Sequence, residues 1–193
     1  MQGQPAKVLR KEDVRAALRV ARKRRHAVRD EAMVLLSVHA GLRACEIASL
    51  TWRMVLSPTG KVGDALELPP SAAKMGSGRR VPLHRELKRA LVDLHAEQGK
   101  PRHGPVIASE RGDAMTPKSV VNWFRRLYDD AGLTGCSSHS GRRTFVTRAA
   151  RTVHRAGGSL RDVQELAGHR SIKTTEGYIE GDRDAQRRLI QLL

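Results

Sequence analysis

Hydrophobic positions recur at helical spacing along most of this chain, interrupted by one short stretch of strand-like residues. Between Lys11 and Arg25, Val14, Ala17, Leu18 and Ala21 fall on one face, the pattern of an amphipathic helix with a solvated outer side. The run Arg22-Lys23-Arg24-Arg25 is expected to end it, because cations suit the negative end of a helix dipole. Ala32, Leu35 and Leu36 predict a second helix from Val28 to His39, stopped by Gly41. A glycine just past a helix takes the left-handed turn without strain. A short helix is expected from Ala44 to Leu50.

The period then changes. Ala65 to Leu68 and Arg79 to Leu83 read as short strands flanking a Met75-Gly76-Ser77-Gly78 turn, a small antiparallel sheet. Leu87, Ala90, Leu91 and Leu94 return to the helical period, which stops before Gly99 and Pro101. Thr116-Pro117 predicts a helix start, with the hydroxyl as N-cap and proline in the first turn. That helix runs to about Ala131 and buries Val120, Phe124 and Leu127. Another is expected from Ser138 through His139 to Arg155, closed by Gly157-Gly158. Ser159 with Asp162 reads as a capping box, opening a helix that ends at Gly168, and Ser171 as the cap of a short helix carrying Tyr178. Asp184 to Leu193 ends the chain on Leu189, Ile190, Leu192 and Leu193. The expected fold class is mainly α with a small antiparallel β-sheet (α+β), one domain over residues 1–193 without repeats or linkers.

Composition narrows the class. A length of 193 residues suffices for a buried core, and 39% hydrophobic with 29% charged residues is a globular balance. With aromatics at 3%, that core must be built from Leu, Val, Ile and Ala. The net charge of +16 carries 27 Arg against 9 Lys, which points first to nucleic acid, since Arg grips phosphate bidentately and never loses its charge. Cys45 and Cys136 stand far apart, and no signal peptide is expected. The longest apolar run, Met33 to Val38, is far too short to span a bilayer. A cytoplasmic, nucleoid-associated protein with reduced thiols and no membrane partner is expected. Cys136 and His139 have ligand-like spacing but no second pair, which argues against zinc. No glycine-rich nucleotide loop is present either, so no cofactor is expected.

Three short motifs carry the chemistry: Gly41-Leu42-Arg43 with Glu46, His139-Ser140-Gly141-Arg142, and Gly168-His169-Arg170 followed by Tyr178 nine positions after His169. A phenol, two imidazoles and two guanidiniums are what a protein needs to hold a phosphodiester and attack it. Taken singly each motif has a plainer reading. His139 and Arg142 at a spacing of three are more often a surface pair. Glu46 beside Arg43 is usually a modest ion pair. Tyr178 reads as a packing residue and His169 as a helix cap.

Taken in order, they read differently. GLRACEIASL at Gly41 to Leu50, KMGSGRRVPL at Lys74 to Leu83, HSGRRTF at His139 to Phe145, and LAGHRSIKTTEGYI at Leu166 to Ile179 resemble the tyrosine recombinase (phage integrase) family over nearly the whole chain. The resemblance implies a DNA recombinase that cleaves and rejoins strands through a 3′-phosphotyrosyl intermediate, in integration, excision or inversion. In that scheme Arg43 and Arg142 hold the scissile phosphate, and His139 and His169 hydrogen-bond it or assist proton movement. Tyr178 is the nucleophile, Lys74 protonates the leaving 5′-oxygen, and Glu46 orients Arg43. Lys61, in another glycine-flanked turn, competes with Lys74 for that role. No ATP, metal or cofactor is needed. The implied partners are double-stranded DNA, other copies of the chain in a homo-tetramer, and accessory DNA-bending or directionality proteins. The C-terminal tail helix over 184–193 packs either on its own core or on a neighbouring protomer.

The sequence departs from the family pattern at Arg143, where histidine is common, and at Gly141, where a larger residue is usual. Glycine there is expected to loosen its helix by about 1 kcal/mol. The first matching helix begins near residue 8, so the N-terminal core-binding domain is expected to be absent. Short catalytic-domain-only members such as the fimbrial-switch invertases, or an excised domain, fit that length equally. Two other readings stay open: a type IB topoisomerase-like nicking-closing enzyme, and a non-enzymatic DNA-binding regulator.

Overall fold

The computed structural model describes residues 6–72, 78–178 and 190–191. Its first helix, α1 (Lys11–Ala21), turns Val14, Ala17 and Ala21 inward. It ends four residues short of the expected Arg25. The amides of Lys23 and Arg24 reach back only three residues, to Val20 and Ala21 at 3.1 Å each, which tightens and stops the helix. The basic run is spent on ion pairs instead, Arg22 to Glu31 and Arg24 to Asp130, both at 2.6 Å.

Helix α2 (Ala27–His39) is buried at every position from Ala32 to Val38, so it is central rather than amphipathic. It packs against α1, α4 (Arg85–Glu97) and α6 (Ser140–Thr152). Gly41 follows it at φ +61 and begins the turn into α3 (Ala44–Ser49). A side chain at Gly41 would collide with the Phe145 ring, so α6 sits directly against that turn.

The strands form as expected. Strand β1 (Ala65–Leu68) pairs antiparallel with β2 (Arg79–Pro82), Leu66 opposite Val81. Leu66, Leu68 and Val81 face the core. Lys74 and the turn residues Met75, Gly76 and Ser77 lie outside the described residues. In α5 (Pro117–Asp130), the Thr116 hydroxyl accepts from the Ser119 amide at 3.1 Å, and Val120, Phe124 and Leu127 are fully buried.

Helix α6 opens at Ser140, two residues later than expected, because His139 already stands at the N-cap. After Thr152 the backbone tightens into a 3-10 turn, Val153–Ala156, closed by Gly157 at φ 73. Helix α7 (Leu160–Ala167) carries the expected capping box, Ser159 with Asp162, and ends at Gly168 in the left-handed conformation. Helix α8 (Ile172–Glu176) is shorter than expected: the Ser171 side chain makes no cap bond, and Tyr178 lies two residues past the helix end.

Two cores result. The larger joins α1 to α5 and the sheet. The smaller centres on Val146, Val163 and Ala167 of α6 and α7, with Phe145 and Tyr178 packed against it. Of the expected apolar tail, Ile190 is described and is exposed, whereas Leu189, Leu192 and Leu193 lie outside the described residues.

Candidate active site

The cleft is assembled where three chain segments meet: the turn into α3, the start of α6, and the end of α7. At the first, Glu46 is fully buried and folds back on Arg43, accepting from its backbone amide at 2.9 Å and its Nη1 at 2.8 Å. A third group joins them. Arg79, the first residue of β2, donates Nη1 to Glu46 Oε1 at 3.0 Å and Nη2 to Oε2 at 2.9 Å. Burial alone would push the Glu46 carboxyl up, but its bonds to Arg79 and Arg43 outweigh this and hold it at about 2. Glu46 is therefore an anion at neutral pH. It is bonded on both oxygens, as a buried charge must be.

Arg142 lies one turn into α6 and is 3% exposed. Its Nη1 donates to the Gly41 carbonyl at 2.6 Å and its Nη2 to the Ala167 carbonyl at 2.7 Å. One side chain thus pins all three segments together. Arg79 helps at the last of them, donating Nε to the Leu166 carbonyl at 3.0 Å. The end of α7, whose carbonyls lack partners within the helix, is satisfied by two guanidiniums, where cations also suit the helix dipole. Burial, with Arg43 and Arg79 nearby, draws the Arg142 guanidinium down to about 10, still fully charged at neutral pH.

His169 follows directly from that helix end. Gln164 clamps its backbone, donating Nε2 to the His169 carbonyl at 2.8 Å, and Thr175 meets its Nδ1 at 3.0 Å. Burial, then the charges of Arg142, Arg43 and Arg79, lower the imidazole to about 4, so it is neutral at physiological pH. Tyr178 stacks on it at a centroid distance of 5.5 Å, with the two planes 21° apart. The Arg143 guanidinium lies over the same phenol ring at 5.6 Å, a cation–π contact. Tyr178, Arg142, Arg143 and the exposed His139 line one cleft of about 300 Å³.

The structure therefore brings together five of the sequence-derived residues, Arg43, His139, Arg142, His169 and Tyr178, with Glu46 beneath them. Lys74 lies outside the described residues. Lys61, its competitor, lies in the turn that follows Ser57. Sequence reasoning passed over Arg79 and Arg143. The alternation of the VPL-terminated strand gave a signal for the first, because Arg79 falls on the same face as the buried Val81, where an arginine needs an acidic partner. Nothing in one sequence pointed to the second beyond its departure from histidine.

Gly141, expected to loosen α6 on propensity, has a packing role that the sequence did not show. A Cβ there would lie 2.8 Å from Ser37 Cβ and 3.2 Å from its carbonyl carbon, so glycine is what lets α6 approach α2 closely. Among the described residues one group has metal-ligand chemistry, His39, His84 and Glu86, with ligand atoms within 4.8 Å of one another. The two rings are stacked at 4.0 Å and 13°, however, and no ion can lie in both ring planes at once. They also line a different cleft, whose walls include Arg22, Arg89 and Arg148.

A mainly helical domain that gathers guanidiniums, imidazoles and a phenol around one cleft has the form of a tyrosine recombinase catalytic domain. The chain belongs to the phage integrase family, whose profile matches residues 7–184. It is 32% identical over 154 residues to a tyrosine recombinase XerC of Bradyrhizobium diazoefficiens, covering 78% of this chain and 45% of that protein. A XerC of Pelobacter propionicus is 30% identical over 155 residues, covering 79% of this chain and 48% of that one. The chain thus spans about half the length of these relatives. The Tn1549 transposon integrase in complex with circular intermediate DNA has the same fold, with a TM-score of 0.75 at 19% identity, over 100% of this chain and 69% of that one. No described helix is long and apolar enough to cross a membrane.

Proposed function

We propose that this domain is the catalytic unit of a site-specific DNA recombinase, breaking and rejoining strands through a phosphotyrosine. The observation that carries the reading is that Tyr178 shares one cleft of about 300 Å³ with Arg142 and His139. Arg43 and His169 lie within electrostatic reach of Arg142. Arg43 and Arg142 hold the non-bridging oxygens of the scissile phosphate and stabilise the charge that builds on them. The Tyr178 oxygen attacks phosphorus as the bond to the 5′-oxygen breaks, leaving a 3′-phosphotyrosyl link and a free 5′-hydroxyl. His139 and His169 bond the phosphate or carry the phenol's proton. With Nδ1 engaged by Thr175, a neutral His169 offers Nε2 for either task. Lys74, assigned from its motif alone, delivers a proton to the departing 5′-oxygen. Attack by another strand's 5′-hydroxyl reverses the step on a new partner, so no ATP or metal enters. Double-stranded DNA is the substrate, a DNA-bound homo-tetramer the working assembly, accessory DNA-bending proteins its helpers and the cytoplasm its compartment.

The test is covalent trapping. A pool of duplexes with a randomised core, each nicked near the centre, is incubated with the protein, and detergent-resistant adducts are recovered and sequenced. The expected outcome is adducts on a defined core sequence with wild type and none with Tyr178→Phe. Adducts that persist in Tyr178→Phe, or none with wild type on any core, would remove the proposal.

A further inference from the structure

Arg79 lies outside every residue to which the family motifs give a role, yet it is one of the best-bonded side chains near the cleft. It is 4% exposed and makes three hydrogen bonds. Each side of its guanidinium holds a different wall. On one side it donates a hydrogen bond to each oxygen of Glu46, the partner of Arg43. Arg43 is left with one side-chain bond to that carboxylate, from Nη1, and makes no other side-chain hydrogen bond among the described residues. Without Arg79, Glu46 Oε2 would keep only the Arg43 backbone amide, and its second lone pair, beside Oε1, would be open to a two-point grip by the Arg43 guanidinium, the geometry guanidinium and carboxylate prefer. Arg43 donors would then turn from the cleft into the protein.

On the other side, Arg79 holds the Leu166 carbonyl in the last turn of α7. That turn passes through Gly168, at φ +62, directly into His169. A Cβ on Gly168 would lie 2.9 Å from Arg79 Nη1, so the turn rests on the guanidinium itself. We propose that Arg79 is a positioning residue for the phosphate cleft: it caps Glu46 so that Arg43 keeps donors for a phosphate, and it seats the Gly168–His169 turn. The proposal rests on the strand-transfer reading above. In this reading the Arg79 side chain, with 4% of its surface exposed and its guanidinium engaged by Glu46 and Leu166, acts through these partners rather than on DNA.

The test uses the whole chain and a nicked duplex that wild-type protein traps. In Arg79→Gln the rate constant for adduct formation at saturating duplex falls about 100-fold, the loss produced by roughly an ångström of misplacement. The duplex concentration at half-saturation stays unchanged, because no DNA contact is removed. Arg79→Lys recovers only part of the rate, since one ammonium cannot span both Glu46 oxygens and the Leu166 carbonyl. A fall in the amount of adduct with an unchanged rate constant marks a smaller folded fraction and overturns the proposal. So does a change in half-saturation alone. If wild type traps no duplex, only the strand-transfer reading fails, and amide hydrogen exchange decides on Arg79. Protection in Arg79→Gln should then drop at 43–47 and 165–169 and nowhere else; a uniform drop, or none, overturns it.

Discussion

Replacing Gly141 with alanine sets helix propensity against packing, and the structure decides the sign. Propensity alone favours alanine inside a helix by about 1 kcal/mol. The new methyl, however, would meet the Ser37 hydroxyl, with Ser37 Cβ at 2.8 Å and its carbonyl carbon at 3.2 Å. The hydroxyl can rotate away; the Cβ and the backbone cannot, so α6 must move off α2. Overpacking of this kind costs about 1–3 kcal/mol, and the net expectation is a loss of about 1 kcal/mol after the propensity gain is subtracted. Urea unfolding followed by circular dichroism reads it as a lower midpoint at unchanged slope. Pairing it with Ser37→Gly, which removes the hydroxyl and the Cβ and leaves only the 3.2 Å approach to the carbonyl carbon, should give a coupling of about 1 kcal/mol in a double-mutant cycle. The same shift stretches the 2.6 Å bond from Arg142 to the Gly41 carbonyl, so adduct formation should slow as well. A Gly141→Ala protein as stable as wild type, or one indifferent to Ser37→Gly, would refute the packing argument.

Acid should destabilise the domain over two pH ranges. His169 takes up its proton at about 4 when folded against an ordinary value of 6.5. The unfolded chain therefore binds more protons between these values, and stability falls as pH drops from 6.5 to 4, by about 3 kcal/mol at most. Glu46, held at about 2 against an ordinary 4.5, contributes stability that is complete above 4.5 and lost as pH falls towards 2. His169→Gln should make the upper decline shallower, leaving the part due to His39, whose imidazole burial also lowers, and should leave the lower one unchanged; a wild-type urea midpoint that is level from pH 6.5 to 4 would contradict the assignment. Binding to a random duplex, followed by fluorescence anisotropy, should weaken about 1,000-fold between 50 and 200 mM salt, as the charge of +16 implies through counterion release. A salt-independent constant would mean that phosphate contacts do not dominate.

Much of this fold was legible because its helices are built by rules that act locally. The Thr116-Pro117 start, the Ser159–Asp162 capping box and the glycines after α2 and α7 stand where the residue types placed them. Errors cluster where tertiary contacts override local preference. The basic run after Ala21 looked like a helix end rich in cations, but Glu31 and Asp130 draw Arg22 and Arg24 out of the helix. Gly141 looked like a weak point in α6 because only its own helix was in view, and Ser37 lies across a contact that no single-segment pattern encodes.

The site divides along the same line. Groups that line the cleft, His139, Arg142 and Tyr178, and those beside it, Arg43 and His169, belong to short motifs whose residue types declare their chemistry. The groups beneath are set by partners far away in sequence. The end of α7 shows why. Its carbonyls at Leu166 and Ala167 are held by arginines from β2 and α6, and Arg142 reaches from there to the turn after α2. A helix end with unsatisfied acceptors attracts guanidiniums wherever the chain can supply them. Once Arg79 and Arg142 are bound there, Glu46 must be buried between Arg79 and Arg43 to balance them. The gathering of cations beside the cleft therefore follows from ordinary helix-end and buried-charge requirements, with Gly168 needed to turn His169 back against them. Chemistry selects which groups face the cleft, whereas capping and charge balance hold them there.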